Sequence, residues 1–430
     1  MCNIHCTGYD GNELKVGSVV ITGLGFITPL SARISTFWDL IIKGKQRFGP
    51  ISGLDKAVFD KLPCTTVSQI PDDVVQEFDA VRWKYGIRPR FIQLALIAGR
   101  EAYHHAGLLD DEMKFDDRTG VCIGVGMSSL HQLSSSIRMI DQDKGRRLSP
   151  YTVPDLLVNM ASAIVSMDLR LQGPSLSPSS ACASGAHAIA EAARLIRLGA
   201  TDRMIAGATE SCMHELALFG FSQCRALSII KDPDQASCPW SSRRSGFVMA
   251  EGAAMLVLEA EDIARERGAR ILGRISGSGL SSDAWHITSP SPGGIGAQIA
   301  MRSALSDAGL SIESITYVHA HAASTISGDL AESQAIRHIF SRILPSLPII
   351  STKGQTGHML GAAGAIQAVI SVLSMNHSII PPNANLDHID PAFNDLYLPQ
   401  APLLNTPINA VLMNSFGFGG TNVSIILTKA

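Results

Sequence analysis

The stretch Ser179-Ser-Ala-Cys-Ala-Ser-Gly-Ala-His187 places one thiol, that of Cys182, in a run of small residues. Directly after it, apolar residues recur at steps of three and four positions from Ala186 to Ile196, which predicts a helix with Cys182 at or near its N-terminus. Unpaired backbone N–H groups and the positive end of the helix dipole would favour the thiolate there. The small neighbours leave room for a substrate at the sulfur. Taken alone, the same residues also suit a buried cysteine that packs at a helix start.

Length and composition describe a globular chain. Its 430 residues are 46% apolar, which is enough for a large core. The net charge is −3 with both signs scattered, so neither a nucleic acid nor an anionic membrane is expected as a partner. The most apolar long stretch, residues 360–373, is interrupted by Gln367 and is too short to span a bilayer. The eight dispersed cysteines lack metal-finger spacing, which indicates reduced thiols in an intracellular compartment and no metal site.

Strands and helices alternate along the whole chain. Apolar runs that end in glycine or polar residues predict strands over residues 19–25, 121–126, 203–208, 246–259, 271–279, 315–319 and 349–351. Helical periodicity or small-residue content predicts helices over residues 94–106, 156–169, 262–267 and 299–305, after Cys182 and after Gly357. Residues 37–114 outside the first of these helices are expected to pass over the core.

The run that begins at Ile271 echoes the opening strand, and the small-residue helix after Gly357 corresponds to the helix after Cys182. We therefore expect an N-terminal extension over residues 1–17 and two similar halves over residues 18–270 and 271–430. Alternating strands and helices predict α/β layers in which sheets enclose buried helices. Alanine and glycine suit such helices because they allow close approach on all sides.

Three further segments carry polar residues in small or apolar surroundings: residues 318–325, 351–364 and 414–422. Each alone has a structural explanation, as a core histidine, a helix start or a tight turn. A cysteine combined with His321 and His358 is more specific, because a thiolate can attack a thioester while two imidazoles supply neutral donors near developing negative charge. Backbone N–H groups at the cysteine and in the glycine loop could hold an oxyanion.

Together these motifs resemble those of the β-ketoacyl-[acyl-carrier-protein] synthases of the elongating I/II type, which are condensing enzymes of the thiolase fold. The resemblance extends from Val19 to Asn422. It rests on residues 181–187, 239–252, 353–364 and 414–422 and on His321. It implies a thiolase-like α/β fold of five layers, α-β-α-β-α, built from two pseudo-repeated halves. The nucleophile would lie in the first half and the catalytic histidines in the second.

The resemblance also implies a two-step mechanism. Cys182 would take an acyl group from acyl carrier protein as a thioester. His321 and His358 would help malonyl-carrier protein to lose its carboxylate, and the resulting carbanion would attack the thioester. The oxyanion would lie on the N–H groups of Cys182 and Phe416, and Lys353 would order the site electrostatically.

Further roles follow from the same resemblance. Phe416 matches the family's gating phenylalanine, whose motion admits the acyl chain. The gating and oxyanion loop comprises Phe416, Gly417, Phe418, Gly419 and Gly420. Thr288 and Thr325 match hydroxyls that contact the pantetheine arm, and Met127 and Phe221 match positions that line the acyl pocket. No cofactor is implied, because the substrates are carried on the phosphopantetheine arm of the carrier protein.

Two positions depart from the family pattern. His319 stands where the family usually has Asn, and Gln367 where it usually has Glu. In relatives both positions, with the acid matching Glu332, belong to a buried site that often holds a monovalent cation. One hypothesis is that His319 takes the space and bonds of the cation; the alternative is drift at a structural site. Ala323 in place of a threonine and Thr152 in place of an aromatic residue leave the chain-length preference open.

The resemblance therefore implies an acyltransferase of fatty acid elongation, which works as a homodimer in which each site borrows residues from its partner. A discrete polyketide ketosynthase is one alternative. A non-catalytic chain-length partner subunit is another, although such subunits typically lose the nucleophile. Residues 158–161 and 351–358 resemble the mitochondrial members more than typical bacterial ones. Residues 1–17 resemble neither a secretory signal nor a clear mitochondrial presequence, so a cytoplasmic location stays as the alternative.

Overall fold

The computed structural model describes residues 17–76, 88–109 and 114–430. The predicted N-terminal extension therefore lies outside the described residues, except for Gly17. The strands are β1 (Val19–Ile27), β2 (Gly49–Pro50), β3 (Thr66–Ser68), β4 (Thr119–Gly124), β5 (Ser175–Leu176), β6 (Arg203–Glu210), β7 (Met249–Ala250), β8 (Gly252–Ala260), β9 (Gly273–Ser282), β10 (Tyr317–His319), β11 (Ile349–Ile350), β12 (Ala410–Gly417) and β13 (Thr421–Thr428).

The helices are α1 (Ile34–Ile42), α2 (Lys56–Phe59), α3 (Asp72–Gln76), α4 (Arg90–His105), α5 (Leu130–Asp141), α6 (Met160–Leu169), α7 (Ser184–Arg197), α8 (Glu215–Gln223), α9 (Glu261–Glu266), α10 (Ile295–Ala308), α11 (Ile326–Phe340), α12 (Lys353–Thr356) and α13 (Ala363–His377). Within the described ranges, none of these helices has the length and apolar character needed to cross a membrane.

Ten of the strands form one sheet in the order β11-β10-β12-β13-β9-β1-β8-β6-β4-β5. It consists of two five-stranded half-sheets, joined where β1 pairs with β9 over only three residues, Val19 to Ile21. In each half two pairings are parallel, β4 with β5 and β6, and β10 with β11 and β12. The remaining pairings in each half are antiparallel. This repeat confirms the two pseudo-repeated halves, while the boundary between residues 270 and 271 stays a prediction.

Two helices, α7 and α13, lie between the half-sheets and contact each other and strands of both halves. Helix α13 is buried at every position from Ala363 to Met375. A Cβ on Gly185 would lie 2.9 Å from the backbone nitrogen of Ala365, and one on Gly364 would lie 2.8 Å from that of Ala186. Small residues are therefore required where the two helices touch, as their composition predicted.

The outer faces of the half-sheets are covered by further helices. Helices α4 and α6 pack on the first half, and α10, with α11 beside it, packs on the second. The order of layers is therefore α-β-α-β-α, which confirms the predicted thiolase-like fold.

Several predicted boundaries move. Helix α4 begins at Arg90, and the helix predicted from residue 156 starts as a 3-10 turn over Pro154–Leu156 before α6 begins. The expectation that residues 37–114 mostly pass over the core is wrong for α1, because Phe37, Trp38 and Ile41 lie on one helix face and are buried.

Candidate active site

The thiol of Cys182 sits in a tight turn immediately before α7, which begins at Ser184. Ala181 has left-handed backbone, with φ at 50°, a conformation that is uncommon for a residue with a Cβ. The Ser184 hydroxyl stabilises the turn by donating to the Ala181 carbonyl oxygen (2.7 Å) and accepting from the Ser180 N–H (2.9 Å). The turn leaves Cys182 9% exposed, at the wall of a cavity.

This cavity, of about 180 Å³, brings together the residues that the motifs singled out. Cys182, His321 and His358 all line it. The predicted pantetheine-binding hydroxyls and the glycine loop line it too, through Thr288, Thr325, Phe416, Gly417, Phe418 and Gly420. Met127 and Phe221 are not part of its lining; they are partly buried and pack against the apolar cluster that contains Cys182.

The two histidines face each other nearly at right angles, with ring centroids 5.4 Å apart. Their Nδ1 atoms are buried, and no hydrogen bond from them to another described residue is found. Burial lowers the pKa of both imidazoles well below its ordinary value, and the nearby Lys353 ammonium lowers it further. Both rings are therefore neutral near pH 7 and can act as hydrogen-bond donors or acceptors without carrying charge.

Backbone N–H groups at the helix start do favour the Cys182 thiolate, as predicted, but burial has the larger effect on the pKa of this thiol. Burial raises the pKa of the thiol to about 12, and the charge of Glu210 adds to the rise. The Lys353 charge and two backbone N–H groups act in the opposite direction but do not compensate for the loss of water. The resting nucleophile is thus a neutral thiol.

The two N–H groups that lie against the Cys182 sulfur are those of Cys182 itself and of Phe418. The resemblance implies Phe416 in place of Phe418. The Phe416 ring lies 5.8 Å from the His321 ring, whereas the Phe418 ring lies 6.2 Å from that of Phe221. The two phenylalanines therefore face different parts of the site, and the amide placed beside the sulfur is the later one.

The glycine loop is tied closely to the nucleophile turn. Ser415 donates from its hydroxyl to the Cys182 carbonyl oxygen (3.1 Å), and Thr421 donates to the Ser180 carbonyl oxygen (3.2 Å). A Cβ on Gly417 would lie 2.5 Å from the Ser180 oxygen, so the close approach requires glycine there.

A buried polar cluster lies behind the histidines. Lys353 donates from Nζ to the His321 carbonyl oxygen and to Gln367 Oε1 (3.3 Å). Glu332 accepts from the N–H groups of His321 (2.9 Å) and Ala322 (2.7 Å). Burial lowers the pKa of Lys353 to about 8, although the charge of Glu332 raises it. The pair fixes the backbone of the first histidine from both sides.

The donor set of this cluster does not fit a monovalent cation. His319 makes its two ring contacts to the hydroxyls of Ser371 and Thr352, each at 3.0 Å. Gln367 donates from Nε2 to the carbonyl oxygens of Ala320 (2.9 Å) and Asn414 (3.4 Å). A bound cation needs converging oxygen lone pairs, and here the carbonyl oxygens of Ala320 and Asn414 accept from an amide NH₂ group instead.

Burial lowers the pKa of His319 to about 3, so this imidazole is neutral. The hypothesis that His319 takes the bonds of a cation therefore needs revision. The amide of Gln367, and not His319, donates to the carbonyl oxygens of Ala320 and Asn414.

Some residues of the site were not predicted from the sequence. The Phe247 ring packs edge-on against His358 with centroids 4.9 Å apart. Glu210 lies fully buried next to the nucleophile, and its only sequence signal is a single acid at the end of a buried strand. Isolated residues of this kind have no motif around them, so only the fold reveals them.

Several known proteins are similar to this chain over most of its length. Residues 17–264 match the family model "Beta-ketoacyl synthase, N-terminal domain" and residues 272–387 match "Beta-ketoacyl synthase, C-terminal domain". A mitochondrial 3-oxoacyl-[acyl-carrier-protein] synthase of Arabidopsis thaliana is 40% identical, over 96% of this chain and 93% of the relative. A putative mitochondrial 3-oxoacyl-[acyl-carrier-protein] synthase of Schizosaccharomyces pombe is 38% identical, over 96% of this chain and 99% of the relative.

Solved structures are similar to the chain as well. A β-ketoacyl synthase from Burkholderia phymatum is 32% identical, with a TM-score of 0.86 over 96% of this chain and 100% of that one. A ketosynthase structure described as a type II polyketide acyl-carrier protein in complex with its ketosynthase is 27% identical, with a TM-score of 0.87 over 96% of this chain and 100% of that one. Both halves of the chain match the family model, and the chain therefore belongs to the β-ketoacyl synthase family.

Proposed function

We propose that the protein is a 3-oxoacyl-[acyl-carrier-protein] synthase of fatty acid elongation, an acyltransferase that condenses malonyl-carrier protein with an acyl group held on Cys182. The observation that carries the proposal is the single cavity in which Cys182, His321 and His358 meet. A nucleophile, two neutral imidazoles and paired N–H groups are the parts that thioester transfer and enolate formation need.

The first step is acyl transfer. The Cys182 sulfur attacks the thioester carbon of acyl-carrier protein, the new carbon–sulfur bond forms, and the carrier thiol leaves with the proton that the cysteine gave up. The N–H groups of Cys182 and Phe418 lie against the sulfur and are placed to hold the oxyanion of the tetrahedral intermediate. Because the resting thiol is neutral, this proton must leave as the sulfur attacks.

The second step is condensation. The bond between the malonyl carboxylate and Cα breaks, carbon dioxide leaves, and His321 and His358 donate hydrogen bonds to the enolate oxygen. Cα then attacks the thioester carbon, a carbon–carbon bond forms, and the carbon–sulfur bond to Cys182 breaks. The released sulfur takes up one proton from water. Neutral imidazoles suit this step because they stabilise negative charge without first neutralising the carboxylate.

Lys353 acts on this chemistry without touching the reacting atoms. Its Nζ holds the His321 carbonyl oxygen, and its charge lowers the pKa of Cys182, His321 and His358. The lysine therefore favours the neutral imidazoles that the condensation step uses.

Two sets of residues are assigned to the pantetheine arm and to the acyl chain of the substrate. Thr288 and Thr325, which line the cavity, contact the pantetheine arm. Met127 and Phe221 shape the acyl pocket from the apolar cluster around Cys182. Within the loop from residue 416 to 420, Phe418 takes the gating and oxyanion roles that the resemblance had given to Phe416, since its amide is beside the sulfur and its ring is toward Phe221.

Acyl carrier protein and a second copy of the chain are the proposed partners. Strand β5 is an edge strand of the large sheet, and edge strands are open to pairing with another chain. Exposed apolar side chains belong to this strand and to α5 and the chain after it: Ile137, Ile140, Tyr151, Val153, Leu157 and Leu176. A homodimer that pairs β5 with β5 would cover them, and sedimentation at the mass of a single chain would contradict it.

The enzyme needs no cofactor of its own, because the reactive thioesters arrive on the carrier's arm. A mitochondrial location is part of the proposal, with the cytoplasm as the alternative; relatives of Arabidopsis thaliana and Schizosaccharomyces pombe that carry the mitochondrial designation support it. Sequence identity favours fatty acid elongation over polyketide synthesis. The chain is 40% identical to the Arabidopsis thaliana relative and 27% identical to the polyketide ketosynthase. The intact Cys182 argues against a non-catalytic partner subunit.

The direct test is condensation by the purified protein. Acyl-carrier proteins of increasing chain length are mixed with malonyl-carrier protein, and 3-oxoacyl-carrier protein is measured by mass spectrometry. Formation of the product extended by two carbons, with loss of carbon dioxide, is the expected result. No product at any chain length, from protein whose circular dichroism shows it folded, would overturn the proposed function.

A further inference from the structure

Glu210, the last residue of β6, is a fully buried carboxylate to which the mechanism above assigns no role. Among the described residues, no arginine, lysine or histidine forms an ion pair with it. A buried carboxylate without a cation is costly unless N–H groups satisfy its oxygens. The free energy of burying the Glu210 side chain therefore depends on the hydrogen-bond donors around it.

Four donors satisfy the carboxylate, and three of them are backbone N–H groups from two separate turns. Oε2 accepts from the N–H groups of Gly126 (3.0 Å) and Gly361 (3.1 Å). Oε1 accepts from the Met127 N–H (3.3 Å) and from the Cys212 thiol (3.2 Å). One side chain thus bridges the turn after β4 and the turn that precedes α13.

The two turns are pressed together at this carboxylate. A Cβ on Gly126 would lie 2.4 Å from Glu210 Oε2, and one on Gly361 would lie 2.8 Å from the same atom and 2.5 Å from the Gly126 nitrogen. Leu360, next to Gly361, has left-handed backbone with φ at 44°. No residue with a side chain fits at either glycine, so both turns are shaped around Glu210.

Each turn carries a part of the proposed site. Met127 belongs to the first turn and to the residues assigned to the acyl pocket. The second turn begins two residues after His358, which lines the catalytic cavity. The carboxylate therefore joins the turn that contains Met127 to the turn that follows His358.

We infer that Glu210 is a positioning residue for the condensation, which holds the Met127 turn and the turn after His358 at a fixed separation through the hydrogen bonds that its carboxyl oxygens accept from both. This inference rests on the proposed function, because the two turns matter together only if one carries the acyl pocket and the other the decarboxylating histidine. A neutral amide would keep the shape of the side chain but replace one acceptor oxygen with a donor.

Charge at this position has a second consequence. The Glu210 carboxylate raises the pKa of the Cys182 thiol, whereas the Lys353 ammonium lowers it. The remaining titratable groups at the thiol are the neutral His321 and His358 and the Cys212 thiol. Removing the carboxylate charge should therefore make Cys182 easier to ionise, although it disturbs the geometry around it.

The test compares Glu210→Gln with Glu259→Gln. Glu259 is equally buried, but it lies at the far end of the same pair of strands, where Thr22, Arg203 and Arg267 bind it. For Glu210→Gln we expect kcat for decarboxylation of malonyl-carrier protein, per folded molecule, to fall at least about tenfold with KM within about twofold. Glu259→Gln should lose stability but stay within about twofold of the wild-type kcat.

The rate at which iodoacetamide alkylates Cys182 at pH 8 gives a readout that needs no carrier protein. It is measured by mass spectrometry of the peptide that contains Cys182. We expect the Glu210→Gln rate to exceed the wild-type rate by at least about threefold. A wild-type protein without condensation activity would overturn the proposed function, and the alkylation rate would still test whether the charge of Glu210 acts on the Cys182 thiol.

The inference is overturned if Glu210→Gln loses no more kcat than Glu259→Gln and its thiol reacts at the wild-type rate. Should Glu210→Gln not fold, Glu210→Asp is measured in the same way, because it keeps the charge but is one methylene too short to reach both turns. The same loss of kcat supports the inference, and a wild-type kcat contradicts it.

Discussion

The backbone N–H of Phe418 lies against the sulfur of Cys182, although the two residues belong to opposite halves of the chain. The hydroxyl of Ser415 strengthens this junction by donating to the Cys182 carbonyl oxygen. The nucleophile turn and the glycine loop therefore form one structural unit, and it is completed only by the second half.

Replacing Cys182 with alanine should remove transfer of the acyl group onto the protein, by at least about a thousandfold, because the thioester forms on this sulfur. The measurement is intact-protein mass spectrometry after incubation with acyl-carrier protein. Cys64→Ala is the matched control, since Cys64 lies in the same apolar cluster but does not line the cavity. An acyl group still bound to the Cys182→Ala protein would refute the assignment of the nucleophile.

Replacing His321 or His358 with alanine should slow decarboxylation of malonyl-carrier protein by about 10²- to 10⁴-fold, since each removes a neutral donor from the enolate. Acylation of Cys182 should fall by less than about tenfold, because the oxyanion N–H groups stay in place. Single-turnover acylation and release of labelled carbon dioxide measure the two steps separately. His338→Ala, an exposed histidine on α11, serves as control. Equal loss of both steps would point to a structural role for the histidines.

His319 should make the protein less stable as the pH falls. The unfolded chain takes up the proton near the ordinary pKa of 6.5, whereas the folded chain does so only near pH 3. Between these values the unfolded state binds more protons, so the free energy of unfolding decreases as the pH is lowered. For His319→Asn this decrease should be smaller by about 1.4 kcal/mol for each pH unit.

Urea unfolding of the wild type and of His319→Asn between pH 6.5 and 4.5 measures the difference. His321 and His358 contribute with the same sign, because burial lowers their pKa as well, so a slope persists in the variant. His338→Asn, on the surface, should leave the slope as it is. Identical slopes for wild type and His319→Asn would contradict the prediction.

The polar cluster behind the histidines should work without a monovalent cation. The Gln367 amide already meets the carbonyl oxygens of Ala320 and Asn414, so activity and melting temperature should be the same in potassium chloride and in choline chloride at equal ionic strength. Gln367→Glu restores the carboxylate that the family usually has at this position. The melting temperature of this variant should rise as the potassium concentration is increased. A wild-type protein that loses activity in choline chloride would show that the amide does not replace an ion.

Much of the catalytic site could be predicted from short motifs. The small residues around Cys182 and the helical spacing after it predicted the turn before α7, and the glycine-rich loop near the C-terminus was expected beside it. The alanine and glycine content of α7 and α13 predicted that both are buried. These features could be predicted because helix starts and close packing of helices require small residues, or residues in a certain order, within a short stretch of sequence.

Other features depend on contacts between segments that are distant in the sequence, so no short motif predicts them. The pKa of Cys182 follows from loss of water in the assembled fold, which outweighs the helix start. The choice between Phe416 and Phe418 depends on how the chain turns between β12 and β13. Gln367 and His319 could be recognised as a changed pair, but which of them meets the carbonyl oxygens depends on the packing of α13 against β10.

The placement of α7 and α13 between both half-sheets has a consequence for how the protein is made. Each inner helix buries its small-residue face against the other, so a nascent first half would expose α7 until the second half has been synthesised. The protein should therefore fold as one cooperative unit after translation of β12 and β13, and an isolated half should aggregate when expressed alone. Cys182 meets its histidines only at that last stage, so no partly made chain carries a complete reactive centre.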